Sequence, residues 1–206
     1  MTGPKVKICG VTRLEDALAA VRLGADAVGF NFWPGSKRHV TPAQARAIVC
    51  RLPPLVVAVG VFVNAPRDEV LRAVDASGIG LAQLHGDEPP ELCMSLPVPV
   101  LKAIRVAGPG SLAALASYDV QGFLLDAASP GYGGSGLTFD WSLAAQVARE
   151  LPIVLAGGLT PENVAEAVRA VLPWGVDVAS GVESSPGVKD VEKMKRFIEA
   201  AKEAER

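Results

Sequence analysis

The chain has 206 residues, half of them apolar and 20% charged, with a formal net charge of −2. That is ample material for a large core and argues against disorder, and with no polybasic stretch it argues against nucleic acid or an anionic membrane as the main partner, leaving a small molecule. Three scattered cysteines (Cys9, Cys50, Cys93) without CxxC spacing argue against a disulfide framework or a structural zinc site.

Residues 1–5 lead straight into a strand pattern without the apolar region of a secretory signal, so the cytoplasm is the expected location. A first strand is predicted over 5–9, followed by a helix opened by Thr12 ahead of Leu14. A second strand over 27–32 runs into the basic loop Ser36-Lys37-Arg38-His39 and a helix begun by Thr41-Pro42. Strand three, over 56–63, lies in the longest apolar stretch, which Pro53, Pro54 and Gly60 cut well short of the roughly 20 residues a membrane span needs. Asn64, before Ala65-Pro66, is the expected cap of the next helix. Strands four, five and six fall over 80–85, 98–104 and 121–126, the last ending on Asp126 ahead of the glycine-rich loop 131–136. Strand seven over 152–157 precedes a helix begun by Thr160-Pro161-Glu162, and strand eight covers 175–179. A last helix from about Asp190 carries Val191, Met194, Phe197, Ile198 and Ala201 at helical spacing.

The strands are continuous apolar runs, as in a parallel sheet covered by helices, and they recur about every 24 residues, which suits a βα repeat. Eight such units without a break in composition favour one compact (β/α)8 TIM barrel over residues 1–206, with a short phosphate-binding helix after strand eight, over an open doubly wound sheet. A dinucleotide site is not supported, because Gly133-Gly134-Ser135-Gly136 lacks the GxGxxG order.

In a barrel, chemistry is carried at the carboxyl ends of the strands. Cys9 ends strand one and becomes a base once ionised. Lys7, on the same side and one layer deeper, is placed to favour the thiolate, with Asp177 on strand eight as an equally good partner for that ammonium. Asp126, against an apolar wall, suits a general acid, and the 131–136 glycines suit a lid. Taken alone, Cys9 reads more readily as a buried packing residue and Asp126 as a loop cap. Gly157 and Gly158 after strand seven, and Ser180 and Gly181 after strand eight, suit backbone N–H groups approaching a phosphate. Arg38 suits a carboxylate clamp. His85 is expected as a wall residue, and two histidines without a matching acidic cluster argue against a metal site. A Ser-His-Asp reading lacks the GxSxG elbow.

Taken together, Lys7-Ile8-Cys9-Gly10-Val11-Thr12, Gly24-Ala25-Asp26, Gly29-Phe30-Asn31-Phe32, Ser36-Lys37-Arg38, Gly60-Val61-Phe62-Val63-Asn64, Gln83-Leu84-His85-Gly86, Leu125-Asp126, Gly133-Gly134-Ser135-Gly136, Leu155-Ala156-Gly157-Gly158-Leu159 and Asp177-Val178-Ala179-Ser180-Gly181-Val182-Glu183 resemble the phosphoribosylanthranilate isomerase family of tryptophan biosynthesis along essentially the whole chain. The resemblance implies an Amadori rearrangement of N-(5-phosphoribosyl)anthranilate without cofactor or metal; whether by a monomer or homodimer the sequence does not set. It implies Asp126 as the acid that opens the furanose, Cys9 as the base at the sugar's C2, phosphate at Gly157, Gly158, Ser180 and Gly181, and the substrate carboxylate at Arg38. His85, Lys7 and Asp177 would support the pair. Two rivals are an aldolase with Lys102 on strand five as its Schiff-base lysine, and a non-catalytic binder of anionic sugars.

Overall fold

In a computed structural model, which describes residues 3–128 and 138–204, eight parallel strands close into a barrel in chain order. They are β1 (Lys5–Ile8), β2 (Ala27–Asn31), β3 (Val57–Phe62), β4 (Leu81–Leu84), β5 (Val100–Val106), β6 (Gly122–Ala127), β7 (Ile153–Leu155) and β8 (Gly175–Val178). The expected strand order is met throughout, with ends moved by one to a few residues. The outer face is covered by α1 (Leu14–Arg22), α2 (Pro42–Val49), α3 (Arg67–Ser77), α4 (Pro90–Met94), α5 (Trp141–Val147), α6 (Val164–Val171) and α7 (Val191–Glu203). Between β5 and β6 the crossover is a 3-10 helix, Pro109–Ser117, whose start at Gly108-Pro109-Gly110 carries the poorest α-helix formers.

One of the expected caps holds, and the last helix, expected from about Asp190, is capped by that residue. Thr41 accepts the Gln44 backbone N–H while the Gln44 side chain accepts that of Thr41, closing a capping box, and the Asp190 side chain accepts the Lys193 N–H. Two do not, because longer-range partners take the side chains. Thr12 donates its hydroxyl to the Gly187 carbonyl at 2.6 Å, and α1 follows Arg13. The Asn64 side chain accepts the Asp87 N–H at 2.7 Å, and α3 starts after Pro66. Thr160 and Asn163 close a turn, with the Thr160 N–H donating to Asn163 Oδ1, so α6 begins only at Val164. The short helix expected after strand eight is a single 3-10 turn, Ser180–Val182, followed by a hairpin of β9 (Glu183–Ser185) and β10 (Val188–Lys189).

The core has two parts. The larger lies between sheet and helices, where Ile8, Phe30, Leu84, Leu125 and Ile153 meet Ala17, Val70, Val164, Met194 and Phe197. A smaller cluster of Leu101, Ala103, Leu124, Val154 and Ala156 fills the inside of the barrel. Paired residues of parallel strands share a face, so the register Asn31–Val61–Gln83–Leu101 and the pair Lys7–Asp177 place polar side chains inside as well. These rise from the barrel floor to its carboxyl-end mouth. Among the described residues no helix is long and apolar enough to cross a membrane.

Lys102 has the opposite parity and points outward from the barrel. It is 1% exposed, with Nζ 2.7 Å from Glu88 Oε2 and donating to the carbonyls of Leu84 and Gly86. Glu88 in turn accepts the N–H groups of Asn64 and Gly86, so the pair ties together the loops after β3 and β4. A Schiff-base role for Lys102 is thereby overturned: the ammonium is spent on a buried pair on the wrong side of the sheet.

Candidate active site

A cavity of about 480 Å³ opens at the carboxyl end of the barrel. It is lined by Cys9, Arg38, His85, Asp126, Gly157, Gly158, Asp177, Ser180 and Gly181, so one space gathers every predicted site residue except Lys7. Lys7 lies a layer beneath, where its ammonium donates to Asp177 Oδ1 at 2.8 Å. The loop 131–136, expected as a lid, lies outside the described residues.

Cys9 follows β1 directly, and its backbone N–H donates to the Val178 carbonyl, which fixes the thiol at the rim. Burial pushes the thiol above its ordinary range, with the Lys7 ammonium opposing and Asp177 adding to the rise. The expectation that Lys7 favours the thiolate therefore holds in sign but is outweighed, since desolvation disfavours the charged form more strongly than the neighbouring cation restores it. For Lys7 itself burial acts downward, but Asp177 and Cys9 together carry it well above the usual lysine range, so the ammonium stays charged.

Asp126 sits three strands away around the closed barrel, on β6. Its Oδ1 accepts the Ala127 N–H at 2.8 Å, and its Oδ2 lies 3.1 Å from His85 Nε2. Behind it stands Gly157 at φ +84°, where a Cβ would come within 2.9 Å of Asp126 Oδ1 and 2.5 Å of the Ala127 nitrogen. Glycine at 157 thus makes room for the carboxyl as well as shaping the loop after β7. At Gly181 a Cβ would collide with the Leu159 carbonyl, so its absence lets the loops after β7 and β8 close on one another. Both loops line the cavity, and glycines there suit the close approach of backbone N–H groups to an anion.

Arg38 reaches this cavity, but its fork is already engaged. Nε and Nη2 donate to Glu183 Oε1 and Oε2 at 2.8 and 2.7 Å, leaving Nη1 for a ligand. Glu183 also accepts from Lys189 Nζ at 2.9 Å. Burial pushes the Glu183 carboxyl up, yet Arg38 and Lys189 bring it below the usual carboxylate range, so Arg38 is held by a permanent charge. The bonds from Glu183 likewise raise the guanidinium further.

Three contributors were missed in the sequence. Glu183 and Lys189 lie about 150 residues from Arg38 along the chain, and no local pattern joins them. Gln83 had a usable signal: it is a polar residue two before His85 in an apolar strand, hence on the same inward face. Its Nε2 lies 2.8 Å from His85 Nδ1.

Residues 6–200 match the family model described as N-(5'phosphoribosyl)anthranilate (PRA) isomerase. A protein of Myxococcus xanthus named N-(5'-phosphoribosyl)anthranilate isomerase is 55% identical over 203 residues, spanning 96% of each chain. Among solved structures, phosphoribosyl anthranilate isomerase from Thermotoga maritima superposes with a TM-score of 0.92 at 48% identity, covering 97% of this chain and 98% of that one. A phosphoribosyl anthranilate isomerase in complex with reduced 1-(O-carboxyphenylamino)-1-deoxyribulose 5-phosphate gives a TM-score of 0.87 at 44% identity, covering 97% and 98%.

Proposed function

The chain belongs to the N-(5'-phosphoribosyl)anthranilate isomerase family, and on that footing we propose how its own residues divide the work of the reaction. It is an isomerase of tryptophan biosynthesis, converting N-(5-phosphoribosyl)anthranilate to 1-(2-carboxyphenylamino)-1-deoxyribulose 5-phosphate by general acid and base catalysis. Asp126 protonates the furanose ring oxygen as the bond from C1 to that oxygen breaks, giving the protonated imine. Cys9, as thiolate, removes the proton from C2, and the resulting enolamine tautomerises to the ketone. The observation that carries this division is that Cys9 and Asp126 enter a single cavity from strands three apart around the barrel, so an acid and a base flank one small molecule.

Phosphate is assigned to the wall of Gly157, Gly158, Ser180 and Gly181, and the anthranilate carboxylate to Nη1 of Arg38. Residues 1–206 form one catalytic domain in the cytoplasm, with no nucleic-acid partner. Of monomer and homodimer we favour the homodimer. Leu55, Leu172 and Trp174 are exposed on loops entering strands, at the end of the barrel away from the site, and a relative from Thermotoga maritima is described as dimeric. No step uses a metal or cofactor.

The test is a coupled assay that makes the substrate in situ and follows loss of its fluorescence. Turnover by the wild type that persists in excess chelator is the expected result, and a folded protein without turnover overturns the reading. The same assay checks the Arg38 assignment. Glu183→Gln replaces one charged acceptor of the guanidinium with an amide, and it raises KM about tenfold, with kcat changed less, since charge-assisted bonds contribute about 1.5–3 kcal/mol. An unchanged KM would show that Arg38 does not need Glu183 to bind.

A further inference from the structure

Gln83, His85 and Asp126 form a buried line across the barrel mouth, with Gln83 only 1% exposed. Gln83 Nε2 lies 2.8 Å from His85 Nδ1, and His85 Nε2 lies 3.1 Å from Asp126 Oδ2. An amide nitrogen only donates. With the amide nitrogen turned toward Nδ1, that atom is a bare acceptor and the imidazole proton sits on Nε2, donated to Asp126. Asp126 Oδ1 accepts the Ala127 N–H at the same time. With that tautomer both carboxyl oxygens accept, the bonding of a carboxylate without its proton. One atom is left over: Gln83 Oε1 is buried with no hydrogen-bond partner among the described residues. An orphaned buried carbonyl is costly, and turning the amide over would pair it with a proton on Nδ1.

We infer that Asp126 and His85 act as a dyad sharing one dissociable proton, and that Gln83 is a positioning residue whose amide turns over with that proton. This rests on Asp126 being the acid of the proposed function. In the empty dyad, Nδ1 is bare and accepts from Gln83 Nε2, as in the structure. In the loaded dyad, Nδ1 carries a proton donated to Gln83 Oε1, and a second proton is shared between His85 Nε2 and Asp126 Oδ2. That shared proton passes to the ring oxygen as the sugar opens, and the dyad regains one from water before the next turnover. The orphaned carbonyl then has a use: it is the acceptor of the loaded state. A general acid must be protonated at its working pH, and an acceptor aimed at Nδ1 favours that state over the empty one.

Other charges surround the dyad. Cys9, Asp177, Lys37 and Arg38 line the same cavity, and the Lys102–Glu88 pair lies behind β4 against the carbonyls flanking His85. Arg105, paired with Asp87, stands on β5 beside Asp126. None of these is altered by a substitution at Gln83, so differences among Gln83 variants read the dyad.

The chain has two histidines, so a 15N-labelled imidazole spectrum contains only His39 and His85. Titrated downward from alkaline pH, His85 is expected to change from bare Nδ1 to protonated Nδ1, at the pH where the alkaline limb of kcat/KM falls. Gln83→Glu, which presents only an acceptor to Nδ1, is expected to move that limb upward by about one pH unit. Gln83→Met, which presents none, moves it downward and lowers kcat about tenfold with KM little changed. A His85 that keeps a bare Nδ1 across the active pH range overturns the inference from the wild type alone, even where a variant fails to fold. An alkaline limb unmoved in both folded variants overturns it too, leaving Gln83 a packing residue. Either result leaves Asp126 as the acid, whereas full activity in Asp126→Asn would remove the acid itself.

Discussion

Cys9→Ala lowers kcat by about 10²–10⁴-fold, the range lost when a positioned general base is removed. The substitution is small for a side chain already 8% exposed at a strand end, and the bond from its backbone N–H to the Val178 carbonyl is retained. Rate loss therefore reads chemistry. The sign of the pH dependence follows from the site. Burial, the largest influence, raises the thiol, and Lys7 only partly offsets it. The thiolate is thus scarcer at neutrality than for a free cysteine, and kcat/KM climbs with pH on its acid limb. Lys7→Met removes the cation that most opposes this rise and leaves Asp177 acting with burial, so that limb moves to still higher pH. A Cys9→Ala variant turning over like the wild type would place the base on another side chain of the cavity. An acid limb unmoved by Lys7→Met would show that the thiol does not sense the ammonium.

The barrel was legible because most of its strands are largely apolar runs, a pattern that buried parallel strands produce and half-exposed ones do not. That Cys9 and Asp126 line one cavity was legible because such a fold brings strand ends together, so both were placed by position in their strands. What could not be read was whatever depended on a partner remote in the chain. Thr12 has the form of a helix cap, yet its hydroxyl goes to Gly187. Arg38 was read as a free fork, while Glu183 holds two of its donors. The β9–β10 hairpin consists of strands of three and two residues, too short to show a period, within a Ser-Ser-Pro-Gly stretch that reads as a turn. The Lys102–Glu88 pair escaped for another reason. A lysine in an apolar strand signals burial with a partner, but whether it faces inward for chemistry or outward for structure depends on a register that only the closed barrel reveals.

Asp126→Asn is the companion result, with kcat reduced by about 10²–10⁴-fold and KM little changed, because the proposed phosphate and carboxylate contacts lie on other elements. Magnitude decides how that loss is to be read. The amide is isosteric, and its oxygen still accepts the N–H of Ala127. If the carboxyl served only as a hydrogen-bonding wall, its replacement would cost about 0.5–1.5 kcal/mol, or roughly a factor of 2 to 13 in rate. A loss beyond about 10² exceeds that, and requires a proton that an amide does not supply. The loss in Cys9→Ala combined with Asp126→Asn separates two further cases. The two groups act in successive steps on one substrate, so the double variant falls well short of the product of the single losses, its residual rate coming from binding and from the protein's fixed dipoles. Losses that multiply fully would mean that acid and base contribute to the same barrier, with ring opening and proton abstraction merged into one step.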